Sequence, residues 1–188
     1  MSTVPSTHAT YQDVLDAPEH KVAEVIDGQL YLSPRPASPH ARAASIIGGE
    51  LVPTFDLGRG GPGGWLVLIG PELHLVAEPA ILVPDLASWR RETMPEMPEA
   101  AFFELRPDWV CEVASPATAR LDRIKKLPLY ARLEVAHAWI VDPLQKTLEV
   151  YRRDGESYRL VQTFDGDDAI RAEPFDAIEL ELRLLWSR

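Results

Sequence analysis

Asp108-Trp109-Val110-Cys111-Glu112-Val113-Ala114, followed at once by Ser115-Pro116, is the stretch on which the fold turns. A run this apolar, rich in β-branched and aromatic side chains, predicts a central strand. Side chains alternate along a strand, so Asp108, Val110, Glu112 and Ala114 share one face while Trp109, Cys111 and Val113 share the other. Glu112 thus stands mid-strand, where packing alone would have chosen a hydrophobe, and a carboxylate taken out of water is costly unless something positive meets it. Ser115-Pro116 supplies a cap and a proline for a helix start. Leu121, Ile124, Leu127 and Ala131 then mark the buried stripe of a helix running to about Glu134. Pro128 predicts a kink in it, because the ring removes a ladder hydrogen bond and clashes with the carbonyl of Ile124.

A second acid is embedded in the same way. Residues 80–83 read as a strand that runs straight into Pro84-Asp85 within Ile81-Leu82-Val83-Pro84-Asp85-Leu86. Two such acids, with the basic cluster Arg120, Arg123, Lys125 and Lys126 behind them, point to a divalent-metal site built to act on phosphate.

Working outward, residues 10–16 read as a short helix with Thr10 as N-cap, ended near Pro18. Residues 22–26 and 29–32 are apolar runs separated by Asp27-Gly28, the dipeptide suited to a type I′ turn, and predict a hairpin. Ser38-Pro39 opens a helix carrying Ala41, Ala44, Ile47 and Leu51 at helical spacing. Gly48-Gly49 weakens it, each glycine costing about 1 kcal/mol relative to alanine. Residues 58–64 are rich in glycine but lack the Lys-Ser/Thr ending of a phosphate loop, so they read as a flexible connection.

Residues 65–69 and 73–76 follow as strands, and 90–104, with Pro95 and Pro98, as an exposed connection with room for a short helix. Residues 136–141, 147–152 and 158–164 read as further strands, and 169–185 as the segment that finishes the sheet edge. Trp139 and Trp186 read as core or interface anchors.

The chain has 188 residues, 46% hydrophobic and 26% charged, enough to bury a core as one domain over 1–188. Cys111 is its one cysteine, which excludes an intrachain disulfide and suits a reducing compartment. No apolar core of signal-peptide length opens the chain and no run approaches the roughly 18 apolar residues of a membrane span, so the expectation is a cytoplasmic protein. A net charge of -10 argues against indiscriminate DNA binding, because non-specific affinity comes largely from Lys and Arg neutralising phosphates. The histidines show no zinc-ligand spacing, and Ser115 lacks the Gly-x-Ser-x-Gly elbow of a serine hydrolase.

Ala23-Glu24-Val25-Ile26-Asp27-Gly28-Gln29-Leu30, then Ser33-Pro34 with Pro36 and His40, then Val83-Pro84-Asp85-Leu86, Glu112-Val113-Ala114-Ser115-Pro116, Asp122-Arg123 with Lys126 and Tyr130, and Trp139-Ile140-Val141-Asp142-Pro143 together resemble a known family. It is the Uma-two family of restriction endonucleases, within the PD-(D/E)XK nuclease superfamily, and the likeness spans about residues 14–158. The resemblance implies an α/β (α+β) fold with a restriction-endonuclease-like core, a mixed central β-sheet flanked by helices. It also implies Mg²⁺-dependent cleavage of DNA phosphodiesters, with Mn²⁺ as a substitute ion. Asp85 and Glu112 would be the metal ligands, with Glu24 as a further acid from near the N-terminus.

Three departures stand out: Ala114 occupies the place of the usual motif lysine, Glu134 that of a glycine after the helix, and Ala138 that of an aromatic residue before Trp139. Lys126 matches the family position for a lysine that has migrated to the helix, while Lys125 points about 100° away from it. The alternative for Lys126 is an i,i+4 salt bridge to Asp122, worth about 0.3 to 0.5 kcal/mol. Glu24 could be a solvent-facing hairpin residue, and His40 a helix-terminus histidine satisfied by water. As site residues, His40, Asp122 and Arg123 would bind substrate or support the ligands. Two readings of function emerge: a metal-dependent endodeoxyribonuclease using Asp85, Glu112 and Lys126, or a nuclease fold that has lost catalysis and serves as a dimeric DNA-binding or regulatory module. Cutting both strands of a duplex favours a homodimer.

Overall fold

A computed structural model describes residues 8–75 and 80–187. The strands are β1 (Lys21–Ile26), β2 (Gln29–Pro34), β3 (Trp65–Ile69), β4 (Leu73–Leu75), β5 (Ala80–Leu82), β6 (Leu86–Arg90), β7 (Trp109–Val113), β8 (His137–Asp142), β9 (Thr147–Asp154), β10 (Ser157–Asp165), β11 (Ala169–Ile170) and β12 (Leu180–Glu181). The helices are α1 (Tyr11–Leu15), α2 (Ser38–Leu51), α3 (Ala119–Leu121), α4 (Leu127–Arg132) and α5 (Leu182–Leu185). Val76, expected to end the strand that starts at Leu73, lies outside the described residues.

A six-stranded mixed sheet in the order β10-β9-β8-β7-β6-β3 forms the centre, and β7 with β8 is its parallel pair. A second, four-stranded sheet has the order β2-β1-β5-β4. The chain passes from one sheet to the other at Val83-Pro84-Asp85, between β5 and β6, so Asp85 lies at the junction where the two sheets part. Proline suits that point because it has no N–H to leave unpaired where a ladder ends.

The alternation of β7 divides the core. Trp109, Cys111 and Val113 pack with α2, Trp65 and Trp139, whereas Val110 and Ala114 pack with α4 and the four-stranded sheet. Glu112 shares the second face. The hairpin turn has the expected type I′ geometry, with φ of 51° at Asp27 and 73° at Gly28. Gly48, unfavourable on propensity, lets α2 lie close on β3: a Cβ there would come within 2.6 Å of the Ile69 Cδ1.

Several sequence expectations are corrected. The helix after Ser115 is not one α-helix with Ile124 in its buried stripe. Between α3 and α4, residues Asp122–Lys126 form a π-helical turn in which the Leu127 N–H donates to the Asp122 carbonyl, five residues back. The wider turn accommodates Pro128, which can neither donate to Ile124 nor lie against its carbonyl. It also rotates the buried face, leaving Ile124 56% exposed and turning Asp122 and Lys126 inward. Residues 90–104 hold no helix, and Met94 and Phe103 pin the connection to the second core. The segment 169–185 does not extend the sheet edge. It forms a separate β11-β12 ribbon and delivers Phe175 into the first core, with ring centroids 4.8 to 5.7 Å from Phe55, Trp65, Trp109 and Trp139. At α2 the N-cap is Ala37, with Ser38 already helical.

Glu134, which replaces a glycine in the family pattern, has φ of 63° immediately after α4. That left-handed conformation costs a side-chain-bearing residue roughly 1–2 kcal/mol. Glu134 is exposed, and its nearest arginine nitrogen is 3.4 Å away, on Arg153. Glu134→Gly is expected to raise stability by about 0.5–1 kcal/mol, the remainder being offset by glycine's larger unfolded-state entropy. Urea unfolding checks this: an unchanged or lowered midpoint contradicts it.

Candidate active site

The two embedded acids, the helix lysine and the N-terminal acid converge on one cavity of about 620 Å³. Glu24 reaches it from β1, Asp85 from the sheet junction, Glu112 from mid-β7, Asp122 and Lys126 from the π turn, and His40 from the first turn of α2. Glu24, Glu112, Asp122 and Lys126 are each no more than 3% exposed.

Lys126 is the hub. Its Nζ lies 2.9 Å from Glu24 Oε1 and 2.8 Å from Glu112 Oε1. The same Glu112 oxygen accepts the Tyr130 hydroxyl at 2.6 Å, and the same Glu24 oxygen accepts the Val83 N–H at 2.9 Å. Asp85 Oδ2 accepts the Val113 N–H at 2.7 Å and lies 3.1 Å from His40 Nε2. The charged form of each acid is thus tied to backbone donors or to a cation, which is what makes burial tolerable. An Asp122–Lys126 bridge is not among the ion pairs of the described residues. The ammonium has moved to two acids on other strands.

The protonation balance follows from burial and crowding. Burial raises the Glu112 carboxyl well above its ordinary range, and the nearby Asp122, Asp85 and Glu24 add to this against the pull of Lys126. Burial opposes the charge on Lys126, but Glu112, Glu24 and Asp122 outweigh it and hold the amine protonated. Asp122 is pushed up to about 6, chiefly by burial.

That shift makes a stability prediction. An aspartate whose folded-state value lies above its unfolded one near 3.8 stabilises the fold only while protonated, so its contribution is full below about pH 4 and lost as pH rises through 6. Asp122→Asn keeps an acceptor for Thr118 and removes the penalty. It is expected to stabilise the protein by up to about 3 kcal/mol at pH 8 and by almost nothing at pH 4. Melting curves at the two pH values test it, and an equal shift at both contradicts it.

Asp85 Oδ1 and Glu112 Oε2 take no protein hydrogen bond among the described residues, so each carboxylate keeps one oxygen to offer. Two hard oxygens fit Mg²⁺, which retains several waters and is commonly held by one or two carboxylates plus substrate phosphate. Glu24 is the third carboxylate of the expected set, and its Oε2 likewise takes no protein hydrogen bond among the described residues. No group of three His, Cys, Asp or Glu side chains able to hold a metal ion exists among the described residues. The bonded oxygen of Glu24 faces Lys126 and the Val83 N–H. Arg123 is not brought to the cavity: it faces β9 and bonds Glu149 Oε1 at 2.9 Å. Ser115 is not the expected helix cap: α3 starts at Ala119 with Thr118 as its N-cap, and Ser115 exchanges hydrogen bonds with Thr118 across the turn before it. Cys111 is buried on the opposite face of β7 with its thiol pushed up by burial.

Tyr130 is the group to which sequence reasoning gave no role. Its position four residues after Lys126, on the same side of the helix, was the available signal. Ala114 is buried against α4 and donates its N–H to Val141, so the place of the missing motif lysine holds a methyl group packed in the second core.

Among solved structures, the chain is similar to a protein from Anabaena variabilis ATCC 29413 described as "a putative nuclease belonging to DUF820", with a TM-score of 0.71 over 95% of this chain and 97% of that one. At 21% identity the likeness shows the shared fold. No curated protein matches the sequence. No helix among the described residues is long and apolar enough to cross a membrane. The model of the Uma2 family, described as "Putative restriction endonuclease", matches residues 8–184, and the chain belongs to that family.

Proposed function

We propose that this chain is a Mg²⁺-dependent endonuclease that hydrolyses DNA phosphodiester bonds, working as a homodimer. The observation that carries the reading is Lys126 Nζ within 3 Å of both Glu24 and Glu112 on the floor of the cavity that Asp85 also lines. Asp85 and Glu112 would hold the cation, which supplies charge stabilisation at the phosphate and lowers the pKa of a bound water. Lys126 is kept protonated by its carboxylates, so it cannot act as a base; it presents a fixed positive donor to the charge that develops on phosphorus-bound oxygens. Glu24 and Tyr130 set its position and that of Glu112, and His40 with the Val113 N–H sets the rotamer of Asp85. Four carboxylates around one buried ammonium leave the cavity negative, which favours recruitment of a cation.

Ala114 favours a second reading, a non-catalytic DNA-binding or regulatory module. The two separate on one experiment. Purified protein is incubated at low salt with supercoiled and linear DNA across Mg²⁺ and Mn²⁺ concentrations, beside Asp85→Ala and Lys126→Ala. The expected result is metal-dependent cutting by the wild type alone. Equal inertness of wild type and Asp85→Ala, with no Asp85-dependent binding of divalent ions by calorimetry, ends the enzyme reading. Equal cutting by all three points to a contaminant.

A further inference from the structure

The depth of the site, not its chemistry, limits what can reach it. Lys126 and Glu112 are 2% and 3% exposed at the base of a cavity whose volume suits a small ligand or a nucleotide or two. A B-form duplex is a stiff rod, with a persistence length of about 50 nm, and enzymes that act in a recess on a duplex must first draw the nucleotide out of the stack. The walls point the same way. Pro34, Pro36, Ala37, Ala41, Pro84 and Pro116 bring small apolar surfaces to the cavity, suited to the faces of unstacked bases. Among the described lining residues, Arg35 is the one Lys or Arg besides buried Lys126, so a row of phosphates has no basic rail to follow. Away from the cavity, Arg123, Arg132, Arg152 and Arg153 are each paired with a carboxylate, and the chain as a whole carries a net charge of -10.

Resting on the nuclease reading, we propose that the substrate is unpaired DNA, a single strand or the unpaired arm of a duplex, whose flexible backbone can descend to Asp85, Glu112 and Lys126. Paired B-form DNA reaches them only after a nucleotide is drawn out of the stack, and is therefore cut more slowly. Because Arg35 is the one exposed Lys or Arg among the described lining residues, binding has a shallow salt dependence: log K falls with log salt with a slope of about −0.7, the value for one phosphate neutralised on a single strand.

The test uses the full chain and four labelled DNAs of equal length: a single strand, a blunt duplex, a duplex with an overhang and a forked duplex. Wild type with Mg²⁺ or Mn²⁺ is expected to cut the single strand and the unpaired arms about 30-fold or more faster than the blunt duplex, the cost of drawing out a paired nucleotide being a few kcal/mol. Anisotropy with Asp85→Asn gives the matching affinities and the salt slope. Ala41→Trp, at an exposed helix position on the cavity wall, is expected to weaken single-strand binding about tenfold, roughly the value of one base contact. Ala37→Trp repeats the block at a second exposed position. Asp85-dependent cutting of the blunt duplex as fast as the single strand overturns the inference and leaves the nuclease reading standing. No Asp85-dependent cutting of any DNA overturns the nuclease reading, and the binding arm then decides the inference: tighter single-strand binding that either tryptophan weakens upholds it, and equal or tighter duplex binding overturns it.

Discussion

Lys126→Met is expected to lower stability by about 3–5 kcal/mol at pH 8, because it leaves the Glu24 and Glu112 carboxylates buried together without their cation. For a chain of this size that is a fall in melting temperature of the order of 10 °C. The loss should shrink toward pH 5, because burial raises the Glu112 carboxyl well above its ordinary range and a protonated Glu112 needs no cation, and it should be largely recovered in Glu24→Gln/Lys126→Met. Thermal unfolding of the two variants at both pH values measures this. A pH-independent loss, or none, would mean that Lys126 is not the cation that compensates these acids. Cleavage by the single variant is expected to vanish as well, since Lys126 is the protein's own positive group at the reacting phosphate.

Asp85→Asn should do the opposite to stability while removing activity. Its amide oxygen can still accept the Val113 N–H, so the strand end stays anchored, and one of four crowded negative charges is gone. In metal-free buffer the variant is therefore expected to melt at or above the wild-type temperature. Added Mg²⁺ should raise the melting temperature of the wild type by mass action and leave the variant unmoved. Cation charge stabilisation is worth several kcal/mol, and each 1.36 kcal/mol is tenfold in rate, so the expected loss of cleavage is on the order of 10³-fold. A variant that melts lower than wild type without metal, and responds equally to Mg²⁺, would assign Asp85 a structural role alone.

The elements visible in the sequence are those set by short-range geometry. The period-2 alternation of residues 108–114, the Asp27-Gly28 turn and the helical spacing behind Ser38 each depend on a few neighbouring residues, and each is present in the fold. The strand Leu86–Arg90 was harder to see. It follows β5 after three residues, and its Ser88 and Arg90 interrupt the apolar run; the junction between two sheets, and not a turn dipeptide, separates the two. Ile124 misled for a related reason. A stripe drawn at a constant 3.6 residues per turn cannot register the π turn that Pro128 accompanies, and that turn decides which side chains face the sheet.

The sequence by itself determined that Asp85 and Glu112 are embedded in strand-like apolar runs, and that a positive group had to meet them, because desolvated charge is intolerable whatever the fold. Only the tertiary structure decided that Lys126 meets Glu112 and Glu24 instead of bridging to Asp122, that His40 and the Val113 N–H meet Asp85, and where Phe175 goes. Lys126 lies 14 residues from Glu112 and 102 from Glu24, so their meeting depends on sheet order and on the rotation of one helical turn, and neither is encoded in any local pattern.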